Sequence, residues 1–391
     1  MKRIRLLILV LLAAAVAAPA LAQPPSTNLE SYALKIFRVE SGLYPFVQVY
    51  IRTFDQNRQP LANLNELNIG VMVKGRPYDP NKRQYFVQSI RNRDEATRSV
   101  IVLDCSGTMA GAPFEDALKA AARFIDSKRE QDQVAVIAVN DAQGGYEVVS
   151  SFERDAKALG RRLADVQCNA ETTQLYDAIA AAMEMSAMAS QGGIQSTDAD
   201  YVASTSILVF SDGKDEGSAL SRDDLNRRIA QLDNPIPVYS FAYSKLDSDY
   251  LRNLESISRN SFGIYYDIGQ ATEKMQRTVE NVQNILQNDY VVTFRSYIPV
   301  DGEEHNVKIG LEYPSRSGKI IYQDGEFEAL VPPPVEPVLN AQNRLAEKLP
   351  PLPDGNPYMS NPHLQGMQGG GQAAAPEGNA AAEAMRKRNQ Q

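Results

Sequence analysis

Ser99-Val100-Ile101-Val102-Leu103-Asp104-Cys105-Ser106-Gly107-Thr108 joins a short apolar run to a polar turn. A continuous apolar run of this length reads as a strand buried on both faces. The turn carries three side-chain oxygens, on Asp104, Ser106 and Thr108. A helix is expected next, over roughly 113–128, because Phe114, Ala117, Leu118, Ala121, Phe124 and Ile125 recur at helical spacing. In open α/β sheets ligands bind at the carboxyl ends of strands, where this turn falls. Oxygen donors suit hard cations such as Mg2+, which prefers near-octahedral geometry. Taken alone, the same D-x-S-x-T pattern also reads as a polar turn in which Asp and Ser cap the helix.

Downstream the rhythm repeats. Buried strands are expected at 134–139, 207–210, 238–242 and 263–266, and amphipathic helices at 155–166, 175–188, 222–232, 250–257 and 272–286. Alternating strands and helices imply an α/β fold with a doubly wound, mostly parallel sheet over 97–288. The flanks differ. Residues 33–92 are strand-like, with β-branched and aromatic enrichment in Phe46-Val47-Gln48-Val49-Tyr50-Ile51, at 67–73 and at 85–87. Strand rhythm returns at 290–294, 306–311 and 319–322. Forty residues are too few for an independent sandwich, so the segments 23–96 and 289–330 are expected to build one β-sandwich-like domain into which the α/β unit is inserted. Both termini of such a unit lie where its parallel strands begin. The β domain should therefore sit opposite the ligand face.

The ends of the chain read differently. Lys2, Arg3 and Arg5 precede an apolar run from Leu6 to Ala18, and Ala20-Leu21-Ala22 is a small-residue cleavage pattern. Residues 1–22 are expected to be a secretory signal peptide of bacterial type, with the mature protein exported to the periplasm or released outside the cell. Its removal would make the formal charge of −8 more negative by three. An acidic exported protein is a poor candidate for nucleic acid or anionic membranes. From 331 on, Pro332-Pro333-Pro334, Pro350-Pro351 and the Gly/Gln/Ala-rich stretch 366–382 favour disorder. A short helix over 339–349 is the one alternative there.

Two further motifs stand in order behind the first. Glu171-Thr172-Thr173-Gln174-Leu175-Tyr176-Asp177-Ala178 puts hydroxyls at a helix start, and Phe210-Ser211-Asp212-Gly213 ends a buried strand in a second carboxylate. Together the three resemble the von Willebrand factor type A family and its metal-ion-dependent adhesion site. Position by position, the resemblance implies metal ligation by Asp104, Ser106, Thr108, Thr173 and Asp212. It implies a divalent ion, Mg2+ or else Mn2+ or Ca2+, whose shell is completed by an Asp or Glu of a protein partner. Thr108 departs from the family's Ser; it keeps the hydroxyl but restricts its rotamer. Thr172 competes with Thr173 as ligand, and the register to Leu175-Tyr176-Asp177 favours Thr173.

The remaining features are read more plainly. Cys105 lies inside the first loop and Cys168 five residues before Thr173. A disulfide between them would tie the two ligand loops together and close about 60 residues, worth roughly 4 kcal/mol. The alternative is two half-buried thiols. Asp177 reads as a helix-start carboxylate, Asp215 and Glu216 as a solvated rim, and Met183, Met185 and Met188 as core fillers. The only histidines are His305 and His363, and no nucleophile, zinc or phosphate-loop motif occurs. The expected function is metal-dependent protein binding by a non-enzyme. A structural module with a vestigial site, or a metal-assisted hydrolase, are the other readings, and missing general bases weigh against the hydrolase.

Overall fold

A computed structural model describes residues 31–191, 202–232, 234–243 and 249–351. The leader expected over 1–22 and the stretch 366–382 lie outside them.

Five strands come first: β1 (Tyr32–Leu43), β2 (Phe46–Asp55), β3 (Ile69–Val73), β4 (Arg76–Pro77) and β5 (Tyr85–Ser89). The α/β unit then runs β6 (Ala96–Asp104), α1 (Ala112–Ser127), β7 (Gln133–Val139), β8 (Tyr146–Glu153), α2 (Ala156–Ala164), α3 (Leu175–Gln191), β9 (Val202–Ser211), α4 (Arg222–Ala230), β10 (Val238–Tyr243), α5 (Asp249–Asn260), β11 (Tyr265–Gly269) and α6 (Lys274–Gln287). Strands β12 (Tyr290–Arg295), β13 (Glu304–Glu312) and β14 (Ile320–Glu328) and helix α7 (Glu336–Lys348) follow.

The apolar run becomes β6, inside a six-stranded sheet of order β11-β10-β9-β6-β7-β8. Val100, Ile101, Val102 and Leu103 are all 0% exposed. Because strand side chains alternate, Ile101 and Leu103 enter the core shared with Phe114 and Phe124 of α1 and Val279 of α6. Val100 and Val102 enter the other, with Leu175 and Ile179 of α3 and Leu225 of α4. Helix layers on both faces are what a run without alternating polarity requires. All pairings in the sheet are parallel except β7 with β8. Strand β8 was not expected. Its sequence YEVVSSFE buries only Ser150, so an edge strand left no periodic signal.

The flanking strands interleave. One four-stranded sheet has the order β1-β2-β12-β5 and the other β14-β13-β3-β4. Thus β12 lies between two strands from before the insertion, and β13 joins β14 to β3. Val47, Val49 and Ile51 of β2 meet Val292 and Phe294 of β12, Ile69, Val71 and Val73 of β3, and Val307, Ile309 and Leu311 of β13 in one core. These alternate positions form the inner faces of two packed sheets.

Arginines join this domain to the α/β unit at the end where the parallel strands begin. Arg52 of β2 holds the Asp289 carboxylate with two nitrogens and donates to Tyr239 Oη of β10 at 2.8 Å. Arg52 is 6% exposed and Asp289 1%. Arg129, just before β7, donates to the carbonyls of Ile90, Arg93 and Glu95 and pairs with Asp132. The expected disorder from 331 gives way to α7 at 336–348. Val338 and Leu349 are buried, Gln342 Nε2 donates to Tyr44 O, and Arg83 donates to the terminal carbonyls of Glu347 and Lys348. Two apolar anchors and a guanidinium on the negative end of the helix hold it, and composition does not register so few contacts.

Breaking the buried pair from one side leaves an uncompensated charge. Arg52→Met is expected to destabilise the fold by about 3–5 kcal/mol in urea denaturation, and Arg52→Met/Asp289→Leu by clearly less.

Candidate metal-ion site

Register brings the motifs to one pole. Leu103 of β6 lies level with Phe210 of β9, so Asp104 and Ser211 leave neighbouring strands at the same height, with Asp212 next. The loop before α3 is tied in by backbone. Ala170 N–H donates to Cys105 O and Gly107 N–H to Ala170 O, both at 3.0 Å. Glu216 N–H and Gly217 N–H donate to Thr173 O at 2.8 and 3.2 Å. Gly213 makes the Asp212 turn at φ +81°, with a Cβ position only 2.7 Å from Tyr250 O, so a side chain has no room there.

The side chains are mostly oxygens facing oxygens. Asp104 is 1% exposed and accepts from Ser106 N–H at 3.0 Å and Ser211 Oγ–H at 2.6 Å. Burial pushes its carboxyl up to about 6, those hydrogen bonds oppose the rise, and the Asp212 carboxylate adds to it. Ser106 Oγ and Thr108 Oγ1 are 3.0 Å apart. Asp212 Oδ1 accepts from Lys214 N–H at 3.0 Å. Thr173 is 0% exposed, and its hydroxyl has no hydrogen-bond partner among the described residues. Thr172, in contrast, is exposed and donates its hydroxyl to Asp141 Oδ1 at 3.0 Å. The geometry thus separates the two threonines: Thr172 is engaged at the surface, and Thr173 is buried and unused.

The residues present fit a small hard cation. Two carboxylates and three hydroxyls match Mg2+ chemistry, and an orphaned buried hydroxyl is an acceptor in want of a partner. Among the described residues no three His, Cys, Asp or Glu side chains cluster to hold a metal ion, so any cation here would rely on hydroxyls beside the two carboxylates. His305 is in β13 and bonds Asp301, so it is not at this pole.

The expected disulfide is not formed: Cys105 and Cys168 are free thiols. Cys105 Sγ lies 3.5 Å from Leu103 O and Cys168 Sγ donates to Ser106 O at 3.1 Å. Each thiol has turned to a carbonyl instead of to the other. Burial pushes both up, Cys168 to about 11, so neither is a ready nucleophile. The loops are joined by backbone bonds without a covalent tie.

Three polar residues were missed by motif reading. Ser211 donates to Asp104; Asp141 holds the amides of Glu171 and Thr172; Ser218 caps α3 from another loop. All act across the chain, where local sequence carries no signal.

Residues 99–214 match the family model of the von Willebrand factor type A domain. That match falls on the α/β unit, from β6 to just past the Asp212 turn. Among solved structures the chain is similar to a von Willebrand factor type A protein from Catenulispora acidiphila, at 13% identity and TM-score 0.42, covering 68% of this chain and 74% of that one. It is also similar to the SpRpn10 VWA domain, at 12% identity and TM-score 0.35, over 46% and 94%. A third similarity is to three N-terminal domains of the type V pili tip protein Mfa5 from Porphyromonas gingivalis, at 14% identity and TM-score 0.25, over 47% and 26%. Among curated proteins none matches the chain. Domains of this type are in general protein-interaction modules.

The unpaired Thr173 hydroxyl makes a stability prediction. Thr173→Val keeps the shape and removes a buried polar group. In chelator it is expected to raise unfolding free energy by about 1 kcal/mol in urea denaturation.

Proposed function

We propose that Asp104, Ser106, Thr108, Thr173 and Asp212 hold one divalent cation, Mg2+ first, and that an Asp or Glu of a protein partner completes its shell. The observation that carries this reading is the buried Thr173 hydroxyl without a partner, beside loops that also bring a buried carboxylate. Hydroxyls are neutral donors, so a cation held here would keep much of its charge for an acidic ligand. The chain's own part is to fix the donors. Ser106 N–H and Ser211 Oγ–H orient Asp104, Lys214 N–H orients Asp212, and the amides of Glu216 and Gly217 hold the Thr173 backbone.

The rim decides how strongly such binding would depend on metal. Asp141, Glu171 and Glu216 are exposed around the pole, and Lys214, the one cation in these loops, is paired with Glu216 at 2.6 Å. Without a cation the exposed carboxylates around the pole would repel an acidic partner. The reading extends to the cell envelope: the leader expected at 1–22 would export the protein, to the periplasm first. No helix among the described residues is long and apolar enough to cross a membrane.

The test is a pull-down from envelope extract with Mg2+, with chelator, and with Asp104→Ala. Capture of an acidic-faced partner is expected only with Mg2+ and intact Asp104. Undiminished capture in chelator or by the variant would contradict the metal-dependent reading. Purified protein should also gain thermal stability with Mg2+, by about 2.7 kcal/mol at a hundred times the dissociation constant.

A further inference from the structure

We propose that Ser218, with Asp215 and Asp177, positions Thr173 for the cation by capping helix α3 from the neighbouring loop, so that the Thr173 hydroxyl stays free to bind. This rests on the metal-binding reading above.

A helix start leaves backbone N–H groups without partners. The usual remedy is a Ser, Thr, Asp or Asn just before the helix, whose side chain accepts from the second or third amide. Helix α3 has hydroxyls at hand in Thr172 and Thr173 but uses neither. Gln174 takes the capping position, its carbonyl accepting from Ala178 N–H at 3.2 Å. Its side chain lies instead over Gly145, where an added Cβ would come within 2.3 Å of it. The second and third amides go across the chain. Tyr176 N–H and Asp177 N–H reach Ser218 Oγ at 3.1 and 3.2 Å. Tyr176 N–H also reaches Asp215 Oδ1 at 3.2 Å, and Ser218 Oγ–H donates to that same oxygen at 2.6 Å.

The bonding is reciprocal. Asp177 accepts from Ala219 N–H at 2.7 Å and Leu220 N–H at 3.1 Å. The segment 215–220 therefore caps α3, and α3 holds the segment. The same segment continues from Asp212 and holds Thr173 O through Glu216 and Gly217. One interlock thus sets the Asp212 loop against Thr173. It also removes a competitor. Thr173 stands three residues before Tyr176, the spacing at which a Ser or Thr folds back onto a helix amide. If Ser218 Oγ is lost, those amides become free to draw the Thr173 hydroxyl away from the cation.

The test is calorimetric titration of the full chain with Mg2+ alone, for the wild type, Ser218→Ala, Ser218→Thr, Thr173→Val and the double variant Ser218→Ala/Thr173→Val. Ser218→Ala is expected to weaken Mg2+ binding roughly five- to tenfold, and Ser218→Thr to restore most of it. In the Thr173→Val background Ser218→Ala should add nothing, because its effect runs through the hydroxyl already removed. A merely structural Ser218 would lower metal-free stability without this coupling. Should Ser218→Ala fail to fold, Asp177→Asn carries the same cycle. Wild-type affinity in Ser218→Ala, or effects that multiply independently, would overturn the positioning role alone. Absence of cation binding by the wild type would overturn the metal reading and this one together.

Discussion

Asp104 carries a carboxylate into the interior of the molecule, and no Lys or Arg among the described residues pairs with it. It stands at the end of β6, between two strands of the same sheet and under two helix layers. That place follows from the apolar run before it: four fully buried residues deliver the fifth, a carboxylate, to the point where the core opens. Burying a carboxyl without a counter-ion is costly, and the upward push on Asp104 is the direct expression of that cost. The loops, the hydroxyls and the second carboxylate at Asp212 all gather about this one group.

The other pole of the α/β unit shows how the same chain treats a buried carboxylate when only architecture is at stake. There Asp289 receives two nitrogens of Arg52, and Asp132 those of Arg129; Arg52 reaches from the β domain to Tyr239 of the insert, and Arg129 from the insert to the carbonyls of Ile90, Arg93 and Glu95. At the carboxyl pole hydroxyls and amides surround Asp104, and the buried Thr173 hydroxyl is left over. The two ends are thus specialised. One closes its charges and fixes the interleaved β sheets to the insert, while the other holds a buried carboxylate that no Lys or Arg among the described residues pairs with. The reciprocal cap between α3 and the segment 215–220 lies at this second pole, where Ser218 and not Thr173 takes the helix amides.

Sequence periodicity was informative wherever burial was two-sided or strongly one-sided. Strand β6, the helices of the insert and most of the flanking strands were legible because their apolar residues recur at the period of the structure; β1 and the two-residue β4 were not named as strands. Strand β8 was not, since it lies at an edge with its side chains largely in solvent. Helix α7 was read only as an alternative to disorder, over 339–349, because it rests on two buried side chains and an arginine supplied from far away. The insertion was legible, but the threading of β12 between β2 and β5 was not, because strand order is a long-range property. At the candidate site, Asp104, Ser106, Thr108, Thr173 and Asp212 were named through the family resemblance that three local motifs carry. The choice of Thr173 over Thr172 acquired a physical reason only when burial and hydrogen bonding separated them. The two thiols were expected to bond because their loops converge. The loops do converge, through Ala170, yet each sulfur faces a carbonyl.

Anomalous diffraction from a crystal soaked in Mn2+ tests the central claim most directly, because it reads position and not function. A single strong peak is expected, enclosed by Asp104, Ser106, Thr108, Thr173 and Asp212 and absent from Asp104→Ala crystals. No peak at saturating Mn2+, or one placed away from the Thr173 hydroxyl, would contradict it.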